Sequence, residues 1–389
     1  MLKKITDFFL TIKNWIQFNS LSRTRDHLVV YSEGSHDWPH IGPMLIKFIR
    51  LSDRGILYVS SEKSDPGLSI KNDNFKGFFI GSGLIRIIFF QLLKCKVLLL
   101  TLTDLDNFHL KRSLIEKVHY VYCFHSINSM HAVYRKNAFI AYDTIFCIGP
   151  HHIKELEREE KIKKINKRNL FEHGSVKIDT LMENYKKNLD INNKSSSTIL
   201  LAPSWGESSF AENFKLLDLI IQTVLINSNY CVLRLHPMTL RLNSKIINDL
   251  KVKNKKIIEN KSLIIEDNLN SNESLNNSDL MISDWSGASM EYAFSFKKPV
   301  IFINTNQKIN NPNWKDYDLP CFEDKIRPLI GKIVDTDSIH HLPEVINSLL
   351  KSKSLVSDRI LEEHKKNIFN VGKSDIVGAK KLLDILENS

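Results

Sequence analysis

No window of this 389-residue sequence approaches the roughly 20 consecutive apolar residues that a membrane-spanning helix needs, so the chain is not expected to cross a bilayer. The amino-terminal stretch MLKKITDFFLTIKNWIQF is interrupted by Asp7, Lys13 and Asn14 and has no A-x-A site after it, which argues against a secretory signal peptide. Cysteine is scarce. Cys95, Cys123, Cys147, Cys231 and Cys321 form no CxxC pair and have no metal-ligand spacing, so they are expected as reduced, mostly buried thiols of a cytoplasmic protein. Asp104, His109, His131, Arg135, His151, His152 and His173 crowd the first half, yet no HExxH or comparable motif appears and no metal site is expected. There is no repeat at a solenoid period. A basic stripe with interleaved aromatics is also missing; Lys161–Arg168 and Lys251–Lys256 read as solvated faces, and nucleic acid is not an expected partner. The formal net charge of +10 still favours anions, whether lipid headgroups or phosphorylated substrates.

What is present is an ordinary globular composition, 42% hydrophobic and 25% charged, on a chain long enough for two domains. From His27 onward, short apolar runs alternate with helical patterns: HLVVYSEG, GILYVSS, KVLLLTLTD, HYVYCFHS and YDTIFCIG, with Pro43–Arg50 and Ile153–Ile165 as helices between them. Such alternation is the signature of βαβ units in a parallel sheet. The polar stretch Lys187–Ser197 reads as a linker, after which the pattern restarts with STILLAPS, NYCVLRLHP, SLIIEDN, SDLMISDWSG and KPVIFIN and a helix over Phe214–Ile226. The expectation is an α/β protein with two Rossmann-like lobes, 21–186 and 198–350, facing a central cleft, preceded by an amphipathic helix over 1–20. A helical segment over 351–389 is expected to cross back and brace the first lobe. Leu2, Ile5, Phe8, Phe9, Ile12, Trp15 and Ile16 recur at helical spacing among lysines, which suits either a helix lying on a membrane surface or one packed on the protein.

Two open α/β lobes hold ligands at the carboxyl ends of their strands. His125 follows HYVYCF and His236 follows VLRL, so each lobe delivers one histidine to the cleft, a side chain whose ordinary pKa suits proton transfer. ISDWSGASMEYAF runs from strand through a small-residue turn into a helix; Asp284, Ser286, Gly287 and Ala288 stand at its start, where backbone amides and the helix dipole attract phosphate. Glu291 is placed one turn on, within reach of ribose hydroxyls. Ser204 and Trp205 lie on the loop after the strand that opens the second lobe, and Arg234 and Arg327 are candidate phosphate-binding cations.

Together these elements resemble the CDP-glycerol glycerophosphotransferases, the polymerases and primases of teichoic-acid-type chains. The resemblance rests on the strand-end His125, on GSVKIDTL, LLAPSW and LRLHP, and on SDWSGASMEYAF followed by KPVIFIN. It implies a GT-B fold, a CDP-activated polyol phosphate donor and a lipid-linked or polymeric acceptor at the inner membrane surface, with no cofactor beyond the donor substrate. It implies essential roles for His125 and His236, one of them the general base, and a donor-phosphate site at Ser286 and Gly287. The first motif reads HSINSMHAVY rather than His-Gly followed by a Pro-Leu-Lys type segment, so the chain diverges most on the acceptor side. A GT-B glycosyltransferase using a CMP- or UDP-sugar and a non-catalytic nucleotide-binding protein are the competing expectations.

Overall fold

The computed structural model describes residues 2–22, 26–187, 196–226, 229–266, 269 and 271–389. Two all-parallel sheets organise them. The first has seven strands in the order β3-β2-β1-β4-β5-β6-β7: β1 (Leu28–Ser32), β2 (Ile56–Ser60), β3 (Phe75–Phe79), β4 (Val97–Leu100), β5 (His119–Cys123), β6 (Thr144–Cys147) and β7 (Asn169–Glu172). The second has six in the order β10-β9-β8-β11-β12-β13: β8 (Thr198–Leu201), β9 (Tyr230–Leu233), β10 (Leu263–Ile265), β11 (Leu280–Ser283), β12 (Val300–Asn304) and β13 (Gly331–Asp335). Each sheet steps outward from its first strand in one direction and then reverses, between β1 and β4 and between β8 and β11. Those reversals open the crevices where doubly wound folds take ligands.

Central strands such as β4, VLLL, are buried along their whole length because helices cover both faces, and their continuous apolar runs announced them. The strands that sequence patterning missed are β3, β7 and β13. All three are edge strands, paired on one side and buried at only some positions, so lysine, asparagine and glycine stand where a central strand would need valine or leucine.

The last helix, Ser374–Asn388, does return to the first lobe. Ala379, Leu382, Ile385 and Leu386 join one core with Met44, Leu45 and Phe48 of the helix Trp38–Leu51. Gly378 permits the approach: a Cβ there would stand 2.3 Å from the Met44 sulfur. Phe369 N donates to Ile148 O at 2.9 Å, and Asp179 accepts from the Ser374 and Gly372 amides, fixing the crossing. The expected linker Lys187–Ser197 lies largely outside the described residues.

The helix Leu2–Ser22 divides its faces. Phe18 is buried edge-on against Phe78 and Phe89, and the Asn14 amide donates to Phe79 O at the sheet edge. Phe9 and Ile16 are 65% and 61% exposed. Among the described residues no helix is long and apolar enough to cross a membrane. All five cysteines are buried thiols. The run Lys161–Arg168 is not uniformly solvated as expected: Arg168 is buried between Glu159 at 2.9 Å and Glu160 at 3.0 Å.

Candidate active site

His125 stands two residues beyond β5. Its Nδ1 lies 3.3 Å from the Tyr122 hydroxyl, and the rings of His40 and Tyr134 approach at 6.0 and 6.1 Å. Asp37, just ahead of the helix Trp38–Leu51, accepts from the Glu33 amide at 2.7 Å and the Ser32 hydroxyl at 3.3 Å. A second buried carboxylate, Asp65, gathers Ser32, Ser60 and Tyr58 hydroxyls and the Gly67 amide, so the ends of β1 and β2 are held rigidly around it. Burial lowers the His125 pKa; the Asp37 carboxylate and a hydrogen bond to the Thr101 carbonyl oppose it, while His36 and Lys177 add to it. Burial likewise drives His40 well down, with Lys177 and His125 contributing. Both rings are therefore neutral near pH 7.

His236 follows β9 and caps the short helix Pro237–Leu242. Its Nδ1 accepts the Met238 amide at 3.1 Å. A neutral imidazole that accepts at one nitrogen carries its proton on the other, so His236 presents Nε2–H, a donor. Burial, then Lys308, lowers its pKa to about 4, which keeps it neutral. The ring stacks on Trp205 at 5.8 Å, and the Lys308 ammonium lies 4.0 Å from the same indole and 3.3 Å from the Trp205 carbonyl oxygen. Cation–π contact of this kind contributes about 0.5–2 kcal/mol.

The helix Gly287–Phe296 of the second lobe follows β11. Ser286 is its N-cap, its hydroxyl accepting from the Ala288 amide at 3.3 Å. Gly287 is required by proximity rather than by backbone conformation: a Cβ would stand 2.4 Å from Asn128 Oδ1 and 3.2 Å from Ser126 Oγ. That helix thus starts against the loop that carries His125. Arg327, on the helix Phe322–Ile330, lies over the Trp285 ring at 3.8 Å; it is 3% exposed, and its Nε and Nη2 are buried without a hydrogen-bond partner. Burial lowers its pKa to about 10, with Asp324, Asp284 and Glu323 opposing. A buried guanidinium with idle donors is costly unless an anion completes it.

Four of the expected donor-site residues have other tasks. Arg234 is spent on Glu266 at 2.7 Å and on the Leu269 and Ser271 carbonyls, which anchors the loop after β10 instead of leaving the guanidinium open to phosphate. Asp284 is fully buried and accepts the Ser204 amide at 2.8 Å and the Phe210 amide at 3.3 Å, so it shapes the loop that carries Trp205. Ser204 is buried as the partner in that turn. Glu291 is held by Lys177, across the lobes, at 2.7 Å.

Sequence reasoning missed Asp37, His40, Lys177, Lys308 and Glu323. Asp37 and His40 lie in SHDWPH just past a strand end, a polar cluster that the strand-end rule would have reached. Glu323 had no signal: its buried carboxylate accepts Asn128 Nδ2 at 2.7 Å and the Ser129 amide at 3.2 Å, a contact across 194 residues of chain. Three of the crowded histidines of the first lobe are taken up by buried contacts. His152 accepts from the Ile148 amide and bonds the Asn128 carbonyl, His151 stacks on Phe322 with its rings 8° apart, and His131 pairs with Glu155 at 3.2 Å.

The fold that presents this geometry is shared with known enzymes. The chain is similar to the wall teichoic acid polymerase TagF (TM-score 0.60, 14% identity, covering 100% of this chain and 98% of that one), also solved in a substituted form soaked with CDPG (TM-score 0.58, 13% identity, covering 100% and 98%). It is similar as well to the UDP-GlcNAc 2-epimerase of Methanocaldococcus jannaschii in complex with UDP-GlcNAc and UDP (TM-score 0.61, 15% identity, covering 93% and 100%). These likenesses make the architecture GT-B. No curated protein matches the chain in sequence. Residues 146–317 match the family model described as CDP-Glycerol:Poly(glycerophosphate) glycerophosphotransferase, a stretch that holds Lys177, Trp205, His236, Gly287 and Lys308 and ends before Arg327. Over that stretch the chain is similar to the CDP-glycerol:poly(glycerophosphate) glycerophosphotransferases.

Proposed function

We propose that this chain transfers glycerol phosphate, or a closely related polyol phosphate, from a CDP-activated donor to a hydroxyl of a lipid-linked or polymeric acceptor in the building of a cell-surface polymer. The observation that carries this reading is the Gly287 helix start, set against the Ser126–Asn128 loop that follows His125, together with the idle donors of Arg327 over the preceding Trp285. Amides at the helix start and the Arg327 guanidinium suit the donor diphosphate. An acceptor hydroxyl loses its proton to His125, and its oxygen attacks the β-phosphorus. The bond from that phosphorus to the bridging oxygen breaks, and CMP leaves with the electron pair. His236, fixed as an Nε2–H donor, stabilises charge on a phosphoryl oxygen and is not the base. Most of the acceleration comes from positioning and charge neutralisation.

The helix Leu2–Ser22 fits work at the cytoplasmic face of a membrane: Phe18 fastens it to the first lobe, and exposed Phe9 and Ile16 suit the bilayer interface. The test has two arms. Purified protein is offered CDP-glycerol, CDP-ribitol, CMP-sialic acid and UDP-sugars; CMP release from a CDP-polyol supports the reading, and turnover of a sugar nucleotide alone replaces it with a glycosyltransferase. Flotation with anionic vesicles, with and without residues 1–18, tests the surface role, and equal binding by the two forms removes it.

A further inference from the structure

Three helices meet at the back of the cleft. The helix Val176–Lys187 follows β7 and packs on both Trp38–Leu51 of the first lobe and Gly287–Phe296 of the second. Each brings one polar side chain to the junction: His40, Lys177 and Glu291. Lys177 reaches across the lobes to Glu291 at 2.7 Å and keeps 30% of its side chain exposed, whereas Glu291 keeps 11%. Glu291 lies four residues past Gly287, about 6 Å along the axis from the residue that opens the helix. Lys177 is also close enough to His40 and His125 to act on both electrostatically.

We propose that Lys177 is a catalytic cation of the transfer site, parked on Glu291 until a donor diphosphate draws its ammonium onto the phosphoryl group being transferred. The proposal rests on the glycerophosphotransferase reading. A carboxylate offers one negative charge at one turn's distance; a diphosphate at the helix start offers more, and a flexible lysine stem can follow it. Between His125 on one side and the helix amides on the other, the ammonium faces the phosphorus under attack, where negative charge grows as CMP departs. Its cross-lobe reach makes the same contact sensitive to whether the lobes are closed.

The experiment compares Lys177→Met, Lys177→Arg and Glu291→Gln in the full chain, reading kcat, KM and the pH profile of kcat/KM with CDP-glycerol. Lys177→Met is expected to lower kcat by roughly 10²-fold, the scale of losing one preorganised donor to developing charge, and Lys177→Arg to recover most of it. The acidic limb of the profile should move to higher pH in Lys177→Met, because a positive charge that depresses His125 is gone. The groups facing His125 that stay in place are Asp37, His36 and His40 from the neighbouring turn and helix, with Tyr122 and Tyr134. Glu291→Gln breaks the same ion pair but leaves the cation, so its loss should be smaller by at least about tenfold. Equal losses in Lys177→Met and Glu291→Gln would reduce the pair to a lobe fastener and overturn the proposal, as would an Lys177→Met enzyme with unchanged kcat. Should the wild type release no CMP from any CDP-polyol, the functional reading falls by itself; calorimetry with inorganic pyrophosphate then decides Lys177, with unaltered affinity in Lys177→Met refuting it.

Discussion

The two histidines at strand ends look alike in sequence and differ in almost every physical respect in the fold. His125 is surrounded by aromatic and imidazole rings, has a buried carboxylate nearby at Asp37, and donates to the Thr101 carbonyl, which leaves its other nitrogen unprotonated. His236 is pinned: Nδ1 is consumed as a helix cap, the ring lies on an indole and a lysine stands beside it. A base needs a free lone pair, and a donor needs a fixed proton. A like place just past a strand therefore does not confer equal chemistry; what each ring nitrogen bonds decides it.

The sharpest break of that contrast is His125→Ala, expected to lower kcat by about 10²–10⁴-fold with unchanged circular dichroism, as loss of a general base does. An active His125→Ala enzyme would return the base to the second lobe. His236→Ala should cost about 10²–10³-fold in kcat, the range for one lost donor, and His236→Gln should restore much of it because its amide donates near Nε2. Glutamine at 125 should restore nothing; rescue at 125 and failure at 236 would invert the two assignments. Arg327→Met removes the unpartnered guanidinium and should weaken donor binding about 10–100-fold, read as KM or as CDP affinity, in line with a charged hydrogen bond. The mildest test is Asp37→Asn. Its carboxylate raises the His125 pKa against burial, so its loss lowers that pKa, and the acidic limb of kcat/KM moves to lower pH while kcat falls slightly. A limb moving to higher pH would show that Asp37 does not act on His125.

The sequence was legible where burial is complete. Central strands such as LVVY and VLLL and the SDWSGASMEYAF turn are local patterns whose neighbours in sequence are also their neighbours in function. Edge strands β3, β7 and β13 were illegible because half their side chains face water. Arg234 misled for another reason: a cation two residues before a strand-end histidine says nothing of Glu266, which sits 32 residues on and claims it. Glu323, Lys177 and Lys308 act through contacts 100 or more residues away in the chain, and no local pattern encodes those. The family resemblance supplied the class of chemistry; the assignment of proton donor and acceptor came from hydrogen bonds.

The returning helix Ser374–Asn388 has a mechanical meaning. The chain comes back to the first lobe before Ser374, where Phe369 N donates to Ile148 O and Asp179 holds the Gly372 and Ser374 amides. Cutting away the final helix would therefore free the returning chain from its anchor and strip the apolar cover from Met44, Leu45 and Phe48.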